Sequence, residues 1–278
     1  MKTVAIKNTF MSYVDAGVGE PTVFLHGNPT SSYVWRNITP YLSDVRRCLV
    51  PDLIGMGQSG KPTIEYRFFD HAAYLDAWFD SVLPRGQVTL ILHDWGSALG
   101  FHWAYRHPER VRAIAYMEAI VQPRVWSDFP NGRDQMFREM RGPGGEELVL
   151  GENYFVETVL PRGVLRTLSQ EEMDAYRIPF RTRPSRLPTL VFPRELPIDG
   201  TPKDVVEAVE AYGRWLGTTL IPKLLISAAP GSILVGRGLD FARGWPNQSE
   251  TRVRGIHFLQ EDAPHEIGTA LRKFVLAH

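Results

Sequence analysis

The sequence has little of what defines several common classes of protein. Its 278 residues include one cysteine, Cys48, which excludes an internal disulfide and a zinc cluster built from cysteines. Lys plus Arg and Asp plus Glu number 31 each, so no excess of charge directs the chain to nucleic acid or to an acidic membrane. No apolar run approaches the ~18 residues that a membrane span needs. The sequence also has no phosphate-binding loop and no cluster of metal ligands, so no metal, flavin or nucleotide is expected.

These absences predict a protein of the cytoplasm, and the N-terminal stretch, which alternates like a pair of strands and lacks a secretory core, agrees with this. We expect a monomer or a weak homo-oligomer. Cys48, within RRCLVPDL, lies where a buried strand would begin, and we expect it to fill the core rather than act as a nucleophile. The length allows one α/β domain with a large core and an inserted subdomain.

Short apolar runs rich in valine, isoleucine and leucine alternate with helical patterns in the first half of the chain. Such runs are typical of buried parallel strands joined by crossover helices. The runs lie near 4–8, 11–16, 21–26, 47–52, 88–93 and 112–117, and the helical patterns lie near 31–43, 70–83 and 96–107. The first two strands are too close in sequence for a crossover, so an antiparallel start is expected.

The rhythm changes between about Arg124 and Gly217, where proline, arginine and aromatic residues are more frequent and the helical pieces are short. One such helix begins at Ser169, whose side chain could form a capping box with Glu172. Strand patterns return at 222–229 and 249–256, and a last helix is expected over about 262–277.

We therefore predict a mostly parallel, doubly wound α/β sheet with an inserted helical cap. The core domain would consist of 1–123 and 218–278, and the cap of 124–217. Such an insertion would cover the carboxyl ends of the strands, where open α/β sheets bind their ligands.

The stretch LILHDWGSALG, residues 90–100, places an acidic residue at a sharp turn from strand to helix. Asp94 follows the predicted strand, Gly96 is the small residue two places later, and Leu92 stands where serine hydrolases with this turn have a glycine. A carboxylate is already an anion, so it can displace a leaving group from saturated carbon without a base and form an ester. Asp94 is the predicted nucleophile; the alternative is that it only caps the helix.

Hydrolysis of such an ester requires a base, and eight histidines compete for this role. His257 follows the strand pattern TRVRGI and precedes the last helix, which is where hydrolases with this turn carry their base. The other histidines fit other roles. His71, His102 and His107 are expected at helix ends or at the surface, and His26 is expected to hold the loop at the end of a strand. His93 should face away from the nucleophile, His265 should be exposed, and His278 is the terminal residue.

An acid that orients His257 is expected after the sixth or the seventh strand. After the seventh, the only carboxylate is Asp240, which falls inside the following helix. The sixth strand, AIAYMEAIV, carries Glu118 at its end, and a carboxylate in so apolar a setting needs a partner. We predict that Glu118 fixes the imidazole tautomer and stabilises the imidazolium. The alternative is a loop glutamate in a salt bridge.

Two residues near the predicted nucleophile carry neutral N–H donors. HGNPTSSYVWRN, residues 26–37, follows another strand and contains Asn28, while Trp95 follows Asp94 directly. Their backbone N–H groups are placed to form an oxyanion hole. The Asn28 amide and the Trp95 indole would together suit a halide ion in a dry pocket. The alternative is that Trp95 only packs and Asn28 only shapes the turn.

With these residues assembled, the chain resembles the haloalkane dehalogenases of the α/β-hydrolase superfamily. The resemblance covers nearly the whole chain, and its most specific carriers are HGNPTSS, HDWGS and the glutamate of YMEAIV. The motifs PDLIGMGQSGKP and HFLQEDAPHEIG add to it. Together they resemble the subfamily with an Asn/Trp halide pair, which includes the lindane-pathway enzyme.

The resemblance implies that Asp94 is the nucleophile, His257 the base and Glu118 the acid, with Asn28 and Trp95 as halide donors. It further implies small halogenated hydrocarbons as substrates, which would yield an alcohol, a halide ion and a proton. Apolar side chains are expected to line the pocket, and the candidates are Phe155, Phe180 and Ile233.

Two other families share parts of this motif set. Epoxide hydrolases also place a tryptophan after an aspartate nucleophile, but they use cap tyrosines and usually an acid after strand seven. Tyr154, Tyr176 and Tyr212 are available in this sequence. The position of the acid and the presence of Asn28 argue against this alternative. Coelenterazine luciferases of the sea-pansy type share almost the whole set, and the motifs alone leave that alternative open. A relative that binds without catalysis is disfavoured because all five polar positions are filled.

Overall fold

The computed structural model describes residues 1–129 and 132–278. Within these residues, eight strands form one sheet in the order β1-β2-β4-β3-β5-β6-β7-β8. The strands are β1 (Lys2–Ile6), β2 (Thr9–Ala16), β3 (Pro21–Leu25), β4 (Arg47–Pro51), β5 (Val88–Asp94), β6 (Val111–Ala119), β7 (Lys223–Pro230) and β8 (Gln248–Gly255).

The sheet is antiparallel at its start and parallel from there on. β2 pairs antiparallel with β1 and with β4, as the short connection at the N-terminus predicted. All the other pairs, from β4–β3 through to β7–β8, are parallel. The carboxyl ends of β3, β5, β6 and β7 therefore lie at one edge of the sheet, where ligands of open α/β sheets bind.

Helices connect and cover the strands. The α-helices are α1 (Phe68–Val82), α2 (Trp95–Arg106), α3 (Arg133–Arg141), α4 (Leu160–Arg162), α5 (Gln170–Arg177), α6 (Leu187–Glu195), α7 (Lys203–Leu216), α8 (Gly236–Arg243), α9 (Leu259–Asp262) and α10 (Pro264–Ala277). Short 3-10 turns span Ser32–Trp35, Thr39–Tyr41, Pro108–Arg110, Trp126–Asp128, Ile178–Phe180 and Pro184–Arg186, and π turns span Glu147–Gly151 and Phe155–Val159. None of the described helices is both long and apolar enough to cross a bilayer.

Alternate residues of the central strands face two separate cores, as expected of a sheet covered on both sides. On β5, Leu90 and Leu92 belong to the core under α1, α2 and α7, whereas Ile91 belongs to the core under α10. Cys48 is fully buried in the second core, as predicted. Burial raises the pKa of its thiol to about 12, so it stays protonated and does not act as a nucleophile.

The helix predicted over 31–43 is wrong, because this stretch forms two separate 3-10 turns instead. Pro40 has no N–H to donate to the carbonyl of Arg36 and disfavours a helical conformation at the residue before it, so a continuous α-helix cannot pass this point.

Between β6 and β7 the described chain forms helices joined by loops, with isolated bridges from Ile198 to Arg124 and Thr201. The capping box of Ser169 with Glu172 at α5 is confirmed. α7 packs on α2, since the rings of Tyr212 and Phe101 have centroids 5.5 Å apart. The Tyr212 hydroxyl also donates to the Ile120 carbonyl at 2.6 Å. The division into a core of 1–123 and 218–278 and a cap of 124–217 remains a prediction.

Candidate active site

The turn between β5 and α2 holds Asp94 in a backbone conformation that few residues adopt, with φ +50° and ψ −129°. Two neighbouring glycines make this turn possible. A Cβ on Gly96 would overlap the carbonyl oxygens of Leu25 and His26, and a Cβ on Gly27 would overlap the Asp94 carboxylate. The strand-to-helix turn expected from the sequence is thus present, and it presents the Asp94 side chain at the carboxyl edge of the sheet.

Ser97 ties this turn to the next strand. Its hydroxyl donates to the Asp94 carbonyl at 2.5 Å and accepts from the Ile120 N–H at 2.9 Å. Ile120 directly follows β6, which carries Glu118, so one buried hydroxyl fixes the spacing between the ends of the two strands that bear the carboxylates.

Asp94, His257 and Glu118 come together although they lie far apart in sequence. His257 Nδ1 lies 3.0 Å from Glu118 Oε2, and His257 Nε2 lies 3.5 Å from Asp94 Oδ2. All three residues are buried. The imidazole therefore lies between two carboxylates, one at each ring nitrogen.

Glu118 is held by backbone donors as well as by the imidazole. The N–H groups of Ser232 and Ile233, which follow β7, donate to its two oxygens at 3.1 and 2.7 Å. With two N–H groups fixing the carboxylate, its Oε2 is the acceptor for His257 Nδ1, which then carries the proton. This leaves Nε2, on the Asp94 side, as the basic nitrogen of the neutral ring.

The loop that carries His257 is anchored from both sides. The Gly163 carbonyl, which follows α4, accepts from the N–H groups of His257 at 2.9 Å and Phe258 at 3.0 Å. On the other side, His93 Nε2 lies 2.9 Å from the His257 carbonyl. His93 thus points away from the Asp94 carboxylate, as predicted, but it supports the backbone of the loop that carries His257.

The charges of the site shift the pKa values of its groups. Burial lowers the pKa of His257, but hydrogen bonds and charge from Asp94 and Glu118 outweigh it and raise that pKa to about 9. Burial raises the pKa of Asp94, yet the hydrogen bond and charge of His257 hold that pKa below its usual value. In the resting site Asp94 is therefore ionised and His257 is protonated at neutral pH.

Asn28 contacts Asp94 through its backbone and the inserted segment through its side chain. Its N–H donates to Asp94 Oδ1 at 2.8 Å, and its Nδ2 donates to the Thr189 carbonyl at 3.3 Å. Thr189 lies in α6, where its carbonyl would normally accept from the residue four places later. That residue is Pro193, which has no N–H. The proline therefore frees the carbonyl that orients the Asn28 amide.

Trp95 is the first residue of α2, so its backbone N–H is one of those that a helix leaves without an internal acceptor. Its ring stacks on Phe192 of α6, with centroids 5.0 Å apart and planes at 27°. Phe192 stacks in turn on His71 of α1, at 4.4 Å and 18°. Three rings from three helices thus set the plane of the indole.

His71 lies in the first turn of α1, as predicted, but the surface position that was the alternative for it is wrong. Its side chain is 1 % exposed, and neither ring nitrogen has a hydrogen-bond partner among the described residues. Burial lowers its pKa to about 3, so the ring is neutral. Its neighbour Phe192 lies 121 positions later, and no local pattern announces that contact.

A cavity of about 370 Å³ opens beside Asp94, and Asn28, Trp95 and His257 also line it. Of the three apolar residues expected in its wall, Phe155 and Ile233 are present. The assignment of Phe180 is wrong, since it does not line this cavity.

Phe180 is fully buried and faces a separate depression. That depression includes Arg177 and Arg186, and the Lys61 ammonium lies 5.6 Å from the Phe180 ring. Phe180 ends a 3-10 turn directly after α5, and the packing of that turn takes the ring away from Asp94.

The tyrosines considered for epoxide chemistry are mostly engaged elsewhere. Tyr176 donates its hydroxyl to the buried Glu261, and Tyr212 donates to the Ile120 carbonyl. Tyr154 alone among the three lines the cavity. Since ring opening of an epoxide needs proton donors at the cavity, this arrangement does not favour that alternative.

Comparisons with known proteins agree with this geometry. Residues 20–171 match the family model of the alpha/beta hydrolase fold. A haloalkane dehalogenase of Sphingobium indicum is 52 % identical over 99 % of this chain and 94 % of its own length. The chain belongs to the haloalkane dehalogenases. The resemblance inferred from the motifs and the predicted α/β-hydrolase fold are both confirmed.

Other haloalkane dehalogenases are similar over a comparable extent. One from Mycolicibacterium smegmatis is 49 % identical over 95 % of this chain and 87 % of its own. The crystal structure of the haloalkane dehalogenase DbeA from Bradyrhizobium elkani superposes with a TM-score of 0.96 at 47 % identity, covering 99 % of this chain and 97 % of that one. Family membership therefore extends over both the sheet and the inserted segment.

Proposed function

We propose that the chain hydrolyses the carbon–halogen bond of small haloalkanes to an alcohol, a halide ion and a proton, through an ester formed on Asp94. The observation that carries this is the pairing of a buried carboxylate at the strand-to-helix turn with a histidine that is itself bonded to a second carboxylate. Membership of the haloalkane dehalogenase family supplies the chemistry on which this arrangement acts.

In the first step, Asp94 Oδ2 attacks the carbon that bears the halogen. Asp94 Oδ1 is engaged by the Asn28 N–H, so Oδ2 is the oxygen free to form the new bond. The carbon–oxygen bond forms as the carbon–halogen bond breaks, and the halide leaves with the electron pair of that bond. No base is needed because the nucleophile carries no proton.

The departing halide is held by the Asn28 amide and the Trp95 indole N–H. One hydrogen of Asn28 Nδ2 is directed at the Thr189 carbonyl, which leaves the other for the halide. The indole is held in its plane by Phe192. Donors fixed in this way need little reorganisation when charge moves onto the halogen.

In the second step, His257 Nε2 takes a proton from water, and the water oxygen attacks the ester carbon of Asp94. The negative charge that develops on Oδ1 is stabilised by the Asn28 and Trp95 backbone N–H groups. Formation of the ester removes the Asp94 charge, which is among the causes that raise the pKa of His257. Once the ester has formed, the imidazolium of the resting site therefore releases its Nε2 proton to solvent, and this nitrogen becomes the base of the second step. Glu118 stabilises the imidazolium that the second step forms again.

Release of halide tests this proposal directly. 1-Bromobutane and 1,2-dibromoethane should each release bromide and protons in equal amounts, which a pH indicator and a halide assay measure together. Replacing His257 with Phe should stop the second step, so mass spectrometry should find an alkyl adduct on Asp94. His265→Phe is the matched control, because His265 is exposed and contacts Tyr41.

Two outcomes would overturn the proposal. No bromide release across a panel of bromoalkanes would refute the activity, and continued release by the His257→Phe variant without an adduct would refute the assigned base. Light emission with coelenterazine, or a diol formed from styrene oxide, in a protein that releases no halide, would favour one of the two alternative activities.

We also propose that the protein acts in the cytoplasm as a monomer or a weak homo-oligomer, with residues 124–217 as its cap. The balanced charge and the single buried cysteine support the cytoplasmic location. The position of Phe155 and Pro193 in the cavity wall supports the role of residues 124–217 as a cap. Size-exclusion chromatography with light scattering measures the oligomeric state.

A further inference from the structure

The cavity is not apolar throughout. Away from Asp94 and His257, its wall includes side chains that can form hydrogen bonds: Gln122, Arg124, Asp128, Tyr154, Thr158 and Arg162. These side chains give the cavity wall a polar part, which could contact a polar group of a ligand.

Two of the three charged members of this wall, Asp128 and Arg124, are engaged by the protein, while the third, Arg162, is exposed. Asp128 accepts from both Nε and Nη2 of Arg237, at 3.0 and 2.5 Å. The Arg124 guanidinium donates to the Ile233 carbonyl at 2.5 Å and lies 4.7 Å from the Phe129 ring centroid. These contacts occupy the charges of Asp128 and Arg124, so neither of these two side chains is left to bind an ionic group of a ligand.

Gln122 differs from these residues. It lies three positions after the end of β6, it lines the cavity, and its Nε2 is buried with no hydrogen-bond partner among the described residues. A buried donor without an acceptor is unfavourable, so it gains from any ligand that supplies one. Rotation of the Gln122 amide by a half-turn about its Cγ–Cδ bond exchanges the positions of Nε2 and Oε1, and this rotation breaks no hydrogen bond of Nε2. The amide can therefore present either a donor or an acceptor to a ligand.

We propose that Gln122 is a specificity residue that selects haloalkanes carrying an uncharged polar group, such as a nitrile, ether or hydroxyl, at the end remote from the halogen. The proposal rests on the proposed function, since the halogenated carbon must lie at Asp94 while the polar group reaches Gln122. The uncharged Gln122 amide suits an uncharged polar group, because a hydrogen bond between the two requires neither a charge nor the transfer of a proton. Arg124 and Asp128 are already engaged by the protein, so Gln122 is the wall residue among these three that is left to recognise a polar group.

A pair of substrates of equal length tests the assignment. 1-Bromohexane and 5-bromopentanenitrile have the same number of heavy atoms, and only the second carries a hydrogen-bond acceptor. The ratio of their kcat/KM values, nitrile over alkane, is measured for the wild type and for Gln122→Met, which keeps the length of the side chain and removes the amide. Loss of one buried hydrogen bond should lower this ratio about tenfold.

Gln87→Met is the matched control, since Gln87 is exposed beside β5 and does not line the cavity. If Gln122→Met does not fold, as judged by thermal unfolding, Gln122→Leu removes the same amide. If Gln122→Met releases bromide from both substrates with the wild-type ratio of kcat/KM values, the role of Gln122 is refuted while the proposed function stands. The role of Gln122 is also refuted if Gln87→Met lowers this ratio as much as Gln122→Met does. Bromide release from neither substrate by the wild type would overturn the proposed function and, with it, this inference.

Discussion

Replacement of Glu118 by glutamine should slow the second step of the reaction and leave the first step in place. Three N–H groups point at the Glu118 carboxylate, from Ser232, Ile233 and the His257 ring. Glutamine offers one oxygen, which can accept from two of them at most. At least one N–H therefore faces an NH₂ group, and the charge that stabilises the imidazolium is gone.

The size of the effect follows from these contacts. A hydrogen bond to a charged group contributes about 1.5–3 kcal/mol. Loss of that stabilisation in the transition state of ester hydrolysis corresponds to a rate lower by about 10- to 150-fold. The pKa of His257 should also fall from about 9, because the hydrogen bond and charge of Glu118 both raise it. A base of lower pKa accepts the proton of water less readily.

Rapid mixing with 1,2-dibromoethane separates the two steps. The variant should release one equivalent of bromide per active site in a fast phase, at nearly the wild-type rate, and then turn over slowly. Mass spectrometry of the quenched reaction should find the ester on Asp94. Glu250→Gln is the matched control, because Glu250 also accepts from two side chains, Ser227 and Arg243, but lies on β8 outside the cavity.

Two results would refute the reasoning. If the fast phase disappears while the variant remains folded, Glu118 acts on the first step, contrary to the geometry. If the slow phase keeps the wild-type rate, the hydrogen bond at His257 Nδ1 does not assist the base.

Three further predictions concern the halide, the anchoring of the inserted segment and pH. Trp95→Phe keeps the stack on Phe192 but removes the indole N–H, so inhibition by bromide should weaken about tenfold, whereas Trp215→Phe should not change it. Glu261→Gln should lower the free energy of unfolding by about 1.5–3 kcal/mol, since it removes the charge of a buried carboxylate that accepts from the partly exposed Arg36, while Glu210→Gln, at an exposed pair, should cost less than about 1 kcal/mol. Folding raises the pKa of His257 from 6.5 to about 9, so protonated His257 stabilises the folded state. This contribution to the free energy of unfolding is complete below pH 6.5 and is lost as the pH rises through 9. Urea unfolding of the wild type and of His257→Phe at several pH values measures the loss.

The sequence was most informative where chemistry and chain order constrain each other. A nucleophile at the turn of Asp94 requires a base, and the late position of His257 fits that role. The base requires an acid to orient it, and Glu118, in its apolar setting, requires a partner in turn. The predicted central strands were correct because runs of buried residues leave few alternatives to a strand inside a parallel sheet. The strand predicted near 4–8 is shifted by two residues from β1 (Lys2–Ile6), which is mostly exposed at the edge of the sheet.

What could not be predicted depends on contacts between distant segments. The neutral His71 is explained by Phe192, and the Asn28 amide is oriented by Thr189. The side on which Phe180 is buried depends on how a short turn packs. One signal was available and unused: Pro193 lies four residues after Thr189 in a helical pattern, which marks a carbonyl without its usual donor.

Gly163 has a consequence for how such enzymes diversify. Its carbonyl binds the two N–H groups at and after His257, so the inserted segment and the histidine loop share one junction. A segment transplanted from another family member would supply a new pocket wall and, at the same point, a new support for the base. Grafts that end before residue 160 would leave this junction intact. Grafts that cross it should alter ester hydrolysis along with substrate choice, which sets a boundary for recombining segments between relatives.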